Sequence, residues 1–94
     1  MDFSSVYNTH EKAVFEAVVI AAPRYPGLAD HDGLLADVAC VALNRMPPQY
    51  IRHSVDLAFF TTEKERLATR RNIDESVDFA FGYVQARHVM AARR

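Results

Sequence analysis

The chain has 94 residues, with one cysteine, no tryptophan and only three glycines. A lone thiol, Cys40, cannot close a disulfide within one chain, so a reducing, cytoplasmic setting is expected. Gly27, Gly33 and Gly82 are too scattered to build a glycine-rich phosphate loop. The longest apolar run, Ala17 to Ala22, is far shorter than a membrane span. The N-terminus has neither a basic start nor a leader-like apolar stretch, so no membrane role is expected. His10, His31, His53 and His88 are spread along the chain without metal-ligand spacing, and no metal is expected. Net charge is −1, which argues against nucleic-acid binding by bulk electrostatics. The charge is nonetheless uneven. Basic clusters occur at Arg45, Arg52 and His53, at Lys64, Arg66, Arg70 and Arg71, and at Arg93-Arg94.

Apolar surface is plentiful. Half the residues are hydrophobic, and six Phe and four Tyr supply the aromatics. This length makes one domain, residues 1–94, the natural reading. So small a domain buries only about 60–65% of its unfolded surface. Part of the apolar excess is therefore expected in a self-association interface.

Hydrophobic periodicity predicts an all-α fold, a small bundle of three to four helices. Asn8 and Glu11 read as a capping box opening the first helix. Val14, Phe15, Val18, Ala21 and Ala22 give that helix one apolar face, and Val19 and Ile20 make its other side apolar too. Such a helix is expected to be covered on several sides, and dimer contacts are expected through the first and last helices. Pro23 to Gly27 ends it, and a loop runs to about Gly33. A second helix spans roughly residues 33–46, with Leu34, Leu35, Val38, Val41 and Ala42 as its stripe. Cys40 reads as a small buried hydrophobe. Residues 50–60 carry two readings. One is a short extended segment near residues 52–58; the other is an ordered loop dropping Leu57, Phe59 and Phe60 into the core. Thr62 and Glu65 form a second capping box, Asn72 and Glu75 a third. The latter starts a separate helix or lies within a continuous one. Ile73, Val77, Ala80, Phe81 and Val84 make one stripe of the last helix; Phe79, Tyr83, Ala86 and Met90 make another. Acids near its start and Arg87, His88 and Arg93 near its end suit the helix dipole.

The chemically richest block runs from Asp37 to Ile51, where an apolar helix ends in Asn44-Arg45-Met46-Pro47-Pro48-Gln49-Tyr50. Asp37 and Asn44 project from one side of that helix. Asp and Asn can read the donor and acceptor edges of a heterocycle. Arg45 and Arg52 can take a guanine edge or a phosphate, and Tyr50 can stack on a base. Arg66, Arg70 and Arg71 would meet phosphates. The structural alternative gives Asn44 to the helix C-terminus, Tyr50 to packing and the arginines to a solvated face. No convergent catalytic set is found, and no enzyme activity is expected.

The motifs Asn8-x-x-Glu11-x-x-Val14 and Asp37-Val38-x-x-x-Ala42-Leu43-Asn44-Arg45-x-Pro47-Pro48-x-Tyr50 resemble the late competence development (ComFB) family, over about residues 6–90. The resemblance implies a small helical homodimer without enzyme activity, linked to competence and motility control. Some members are receptors for cyclic di-GMP. Many relatives carry a Cys-x-x-Cys pair before the Asp-Val element, and some bind zinc there. Here that stretch is His31 to Ala36, so a zinc role does not carry over. The leading expectation is a signalling protein that binds cyclic di-GMP through Asp37, Asn44, Arg45, Tyr50, Arg52, Arg66, Arg70 and Arg71, and relays it to an unidentified protein. The rival is an interaction dimer without a small ligand. A DNA-binding dimer would need its basic clusters to align across the two-fold axis.

Overall fold

A computed structural model describes residues 1–92 of the chain; Arg93 and Arg94, read as the basic tail, lie outside the described residues. The all-α expectation holds. The elements are β1 (Tyr7–Asn8), α1 (His10–Ala21), a short 3-10 turn (Ala22–Arg24), α2 (Pro26–Ala29), α3 (Asp32–Arg45), β2 (Tyr50–Ile51), α4 (Ser54–Phe60) and α5 (Glu63–Ala92). Helices α1, α3 and α5 pack on one another, α3 most extensively on α5.

The core takes one stripe from each long helix. From α1 come Val14, Ala17, Val18 and Ala21, from α3 Val38, Ala39 and Ala42, and from α5 Ile73, Val77, Ala80, Phe81 and Val84. Leu28 of α2 closes one end and is fully buried with Phe81, Val14 and Val38. The Tyr25 ring lies flat on Phe81, centroids 4.3 Å apart. Pro26 opens α2 at a position where its missing donor costs nothing. The expected loop from Pro23 to Gly33 is therefore mostly helical, in two single turns. Proline ends α1 but also presets φ for the next turn.

The start of α1 departs from the capping box. Glu11 does not reach back, and Thr9, the residue before the helix, makes no side-chain cap. Instead Asn8 Oδ1 accepts from the backbone N–H of His10 and from that of Gln49, both at 3.1 Å. Thr9 N–H donates to the Gln49 carbonyl at 2.8 Å. Beside them Tyr7 and Asn8 pair antiparallel with Ile51 and Tyr50. The Pro47-Pro48 corner is thus tied back onto the start of α1. Buried Asn8 satisfies two backbone donors, so Asn8→Ala should cost about 1–3 kcal/mol by leaving them without an acceptor. A lower urea midpoint at unchanged m-value checks this.

His10, buried at the same corner, has its pKa held below the ordinary histidine value by burial, with hydrogen bonding to the Pro47 carbonyl counteracting. A folded-state pKa below the unfolded one means the folded protein binds the proton less readily. His10 therefore contributes stability above the ordinary value of 6.5 that is lost as pH falls from there toward the folded pKa. Thermal melts between pH 7.5 and about 5 should show a decline that His10→Gln flattens.

Residues 50–60 answer to neither expectation. The extended pair sits upstream at Tyr50–Ile51, and Ser54–Phe60 is helical with no buried residue. Phe59 and Phe60 point into solvent as an edge-to-face pair, and Leu57 is only half-buried. Thr62 does cap. Its hydroxyl accepts from Glu65 N–H and donates to the Glu65 carboxylate, each at 3.1 Å. The Asn72–Glu75 box starts nothing, because α5 runs through it unbroken for 30 residues. No helix among the described residues is long and apolar enough to cross a membrane.

Candidate nucleotide-binding face

Phe79 and Tyr83 stand one turn apart on the exposed side of α5, next to the core stripe. Their rings stack with centroids 6.1 Å apart and planes 20° from parallel. Arg45, from the last turn of α3, lies over Phe79 with its guanidinium carbon 4.1 Å from the ring centroid. Arg87, one turn after Tyr83, lies 5.7 Å from that ring. The result is a ladder on the surface, in the order Arg45, Phe79, Tyr83, Arg87. Among the described residues no carboxylate pairs with either guanidinium; each is held by ring quadrupole, so its donors face solvent.

The ladder leads into a groove of about 390 Å³ between α3 and α5, lined by Leu34, Asp37, Cys40, Val41, Val84, Arg87 and His88. That volume lies at the small end of ligand clefts. His31 sits at its far end with its ring 5.8 Å from that of His88. The groove has an apolar floor, one carboxylate and nearby cationic or titratable groups. Cys40 belongs to its wall and is exposed, not buried as the sequence pattern suggested. The reason is position: on α3 it lines both this groove and the one between α1 and α3, while Ala39 and Ala42 take the core.

The residues expected to bind ligand divide into three groups. Asp37 and Arg45 meet the ladder and its groove, about 12 Å apart along α3. Asn44 is exposed in the same last turn, and the helix-ending bond falls to Met46 N–H on the Leu43 carbonyl. Tyr50 belongs to β2 and Arg52 to the bend after it, both exposed at the tied corner. Arg66, Arg70 and Arg71 are exposed on the N-terminal part of α5. Arg66 and Arg70 lie about 13–20 Å from Phe79 along the axis. Each has an acid of its own. Arg66 forms a forked pair with Glu63 at 2.7 Å, which raises its pKa, and Arg70 lies 3.6 Å from Asp74. The repulsion between Arg66 and Arg70 is therefore relieved within the helix.

Phe79, Tyr83 and Arg87 were visible in the sequence only as a second apolar stripe and a dipole charge. The usable signal was the spacing: two aromatics and an arginine at i, i+4 and i+8 share one helix face. Among the described residues, no group of three or more His, Cys, Asp or Glu side chains could hold a metal ion. The family model for the late competence development protein ComFB matches residues 7–88. No curated protein matches the chain.

Proposed function

The chain belongs to the ComFB family, and from that premise we propose that it is a homodimeric, non-enzymatic signalling protein that binds cyclic di-GMP and relays the bound state to a protein partner. The observation that carries this reading is the Arg45–Phe79–Tyr83–Arg87 ladder beside Asp37. A cyclic dinucleotide offers two flat guanines, their donor-rich edges and two phosphates. Aromatic rings and guanidinium planes stack on bases, arginine also binds phosphate or the guanine O6/N7 edge, and a carboxylate accepts from base N–H groups. Asn44 adds an amide at the Arg45 end. Tyr50 and Arg52 are assigned to the neighbouring corner, and Arg66, Arg70 and Arg71 to a solvated face.

Isothermal titration of the folded protein with cyclic di-GMP tests the reading, with GTP as the comparison. Saturable binding of the cyclic dinucleotide is expected. Ligand at 100 times its dissociation constant should also add about 2.7 kcal/mol to stability in a thermal melt. Neither heat nor thermal shift from correctly folded protein would remove the ligand from the proposal. The second reading, an interaction dimer without a small ligand, draws on the acid-paired arginines of α5 and on the structural use of the Pro-Pro corner. Under it, Arg45→Ala changes capture of a protein partner and no nucleotide affinity.

A further inference from the structure

Residues 54–72 form α4 and the first turns of α5, and none of them is buried. They nevertheless carry Val55, Leu67, Phe59 at 83% exposure and Phe60 at 78%. A seven-residue helix has too few hydrogen bonds to persist in water by propensity alone, so this apolar arm needs a cover. A second unpartnered surface lies on the body. Phe15 and Val19 of α1, with Leu35, Ala36, Ala39 and Cys40 of α3, wall a groove of about 470 Å³ that is almost wholly apolar. Leu35, Ala36, Ala39 and Leu43 line its α3 side, and Phe15 and Val19 form the other.

The chain alone is larger than its mass requires. Its accessible surface is 7086 Å², where a compact monomer of 10.6 kDa exposes about 5,500 Å². The excess, about 1,600 Å², is roughly twice what each partner of a standard-size interface buries. Its radius of gyration is 15.1 Å, against about 12 Å for a compact domain of this length.

We infer that the cover is a second copy of this chain: the arm of each protomer, led by Val55, Phe59 and Phe60, fills the α1–α3 groove of the other. A single arm-in-groove contact is head to tail and could build an open chain. Made twice about a two-fold axis, it closes as a dimer and uses both apolar surfaces at once. This gives a location to the homodimer in the reading above and rests on it. It keeps the first helix in the interface, as one wall of the groove, and adds α3 and α4 to it, the last helix contributing only its first turns.

Cys40, the only thiol, lines this groove and also the α3–α5 groove, so its link to position 59 is read together with a link from Phe15→Cys to Phe59→Cys in a Cys40→Ser background, which the α1–α3 groove alone allows. Phe59→Cys in the full chain, treated with a short bis-maleimide, should give covalent dimers. In a mixture of isotopically labelled and unlabelled protein, mass spectrometry should find position 40 of one protomer joined to position 59 of the other. The wild type and the Cys40→Ser, Phe59→Cys variant should cross-link poorly. Separately, the Val55→Ser, Phe59→Ser, Phe60→Ser variant should sediment as a monomer with its helical circular dichroism retained, where wild type sediments as a dimer. Links within one protomer, links only between the two Cys40 thiols, a monomeric or polymeric wild type, or an unaltered dimer in the triple-serine variant would each overturn the inference. A dimer that lacks the 40–59 link but binds cyclic di-GMP sinks this interface and leaves the ligand proposal standing. The link without nucleotide binding does the reverse.

Discussion

Arg45→Ala and Tyr83→Ala should each weaken the proposed cyclic di-GMP binding by about tenfold to a hundredfold, and combining them should bring affinity below what calorimetry resolves. A base stacked on an aromatic ring, or a guanine edge held by a forked arginine, is worth about 1–3 kcal/mol. On the proposed reading each change would remove one such contact. Both side chains are exposed, so the core survives their loss. The two effects should not simply add. Arg45 lies on Phe79 and Phe79 stacks on Tyr83, so removing one end releases the other. A double-mutant cycle by titration calorimetry reads that coupling. Lys12→Ala, exposed on α1, serves as the control and should leave affinity unchanged. Full affinity in both single variants would exclude the ladder as the site.

Phe81→Ala should cost about 3–5 kcal/mol, a large part of the 5–15 kcal/mol that holds such a domain together. Phe81 is fully buried where α5 meets the other core helices. It also supports the Tyr25 ring at 4.3 Å, so its removal frees the chain between α1 and α2. The midpoint of thermal unfolding should fall by about 15 °C or more, since 1 kcal/mol shifts a domain of this size by about 4–8 °C. Phe81→Leu, which fills much of the space, should lose far less. Equal losses in both variants would point to the Tyr25 stacking rather than to the cavity.

Phe81 and Tyr83 lie two residues apart on one helix, and their changes act on different properties. Position 81 faces inward and position 83 outward. A period of 3.6 assigns that difference from sequence alone, and the apolar part of the inward stripe, Ile73, Val77, Ala80, Phe81 and Val84, was legible; Ser76, buried on the same face, was not. So was the Thr62 cap, because its partner is only three residues away. Features set by distant residues were not legible. The extended pair at Tyr50–Ile51 exists because Tyr7–Asn8 lies beside it, and nothing near residue 50 announces that partner. Alternation at residues 54–57 looked like a strand, yet four residues cannot distinguish the two periods. Asn72 and Glu75 match a capping box by spacing, but the helical pattern already continues through them. The reading that drops Phe59 and Phe60 into the core, one of two for residues 50–60, rests on hydrophobicity alone, and both rings are exposed.

The candidate site was half legible for the same reason. Asp37 and Arg45 stood out because polar groups on an apolar helix are conspicuous. Phe79 and Tyr83 did not, since an aromatic on a helix face reads as packing until a guanidinium from another helix lies over it.

Helix α5 is long enough to act as a lever. Its 30 residues span about 45 Å, with Phe81 as the fulcrum against Tyr25. Leu67 lies about 21 Å from that point along the axis. If a bound ligand tilts the rod by about 5° at the ladder, Leu67 swings by about 2 Å, more than a packed interface absorbs without rearranging. The stroke would arise near the middle of a single continuous helix and be delivered toward its N-terminal end, with no break between.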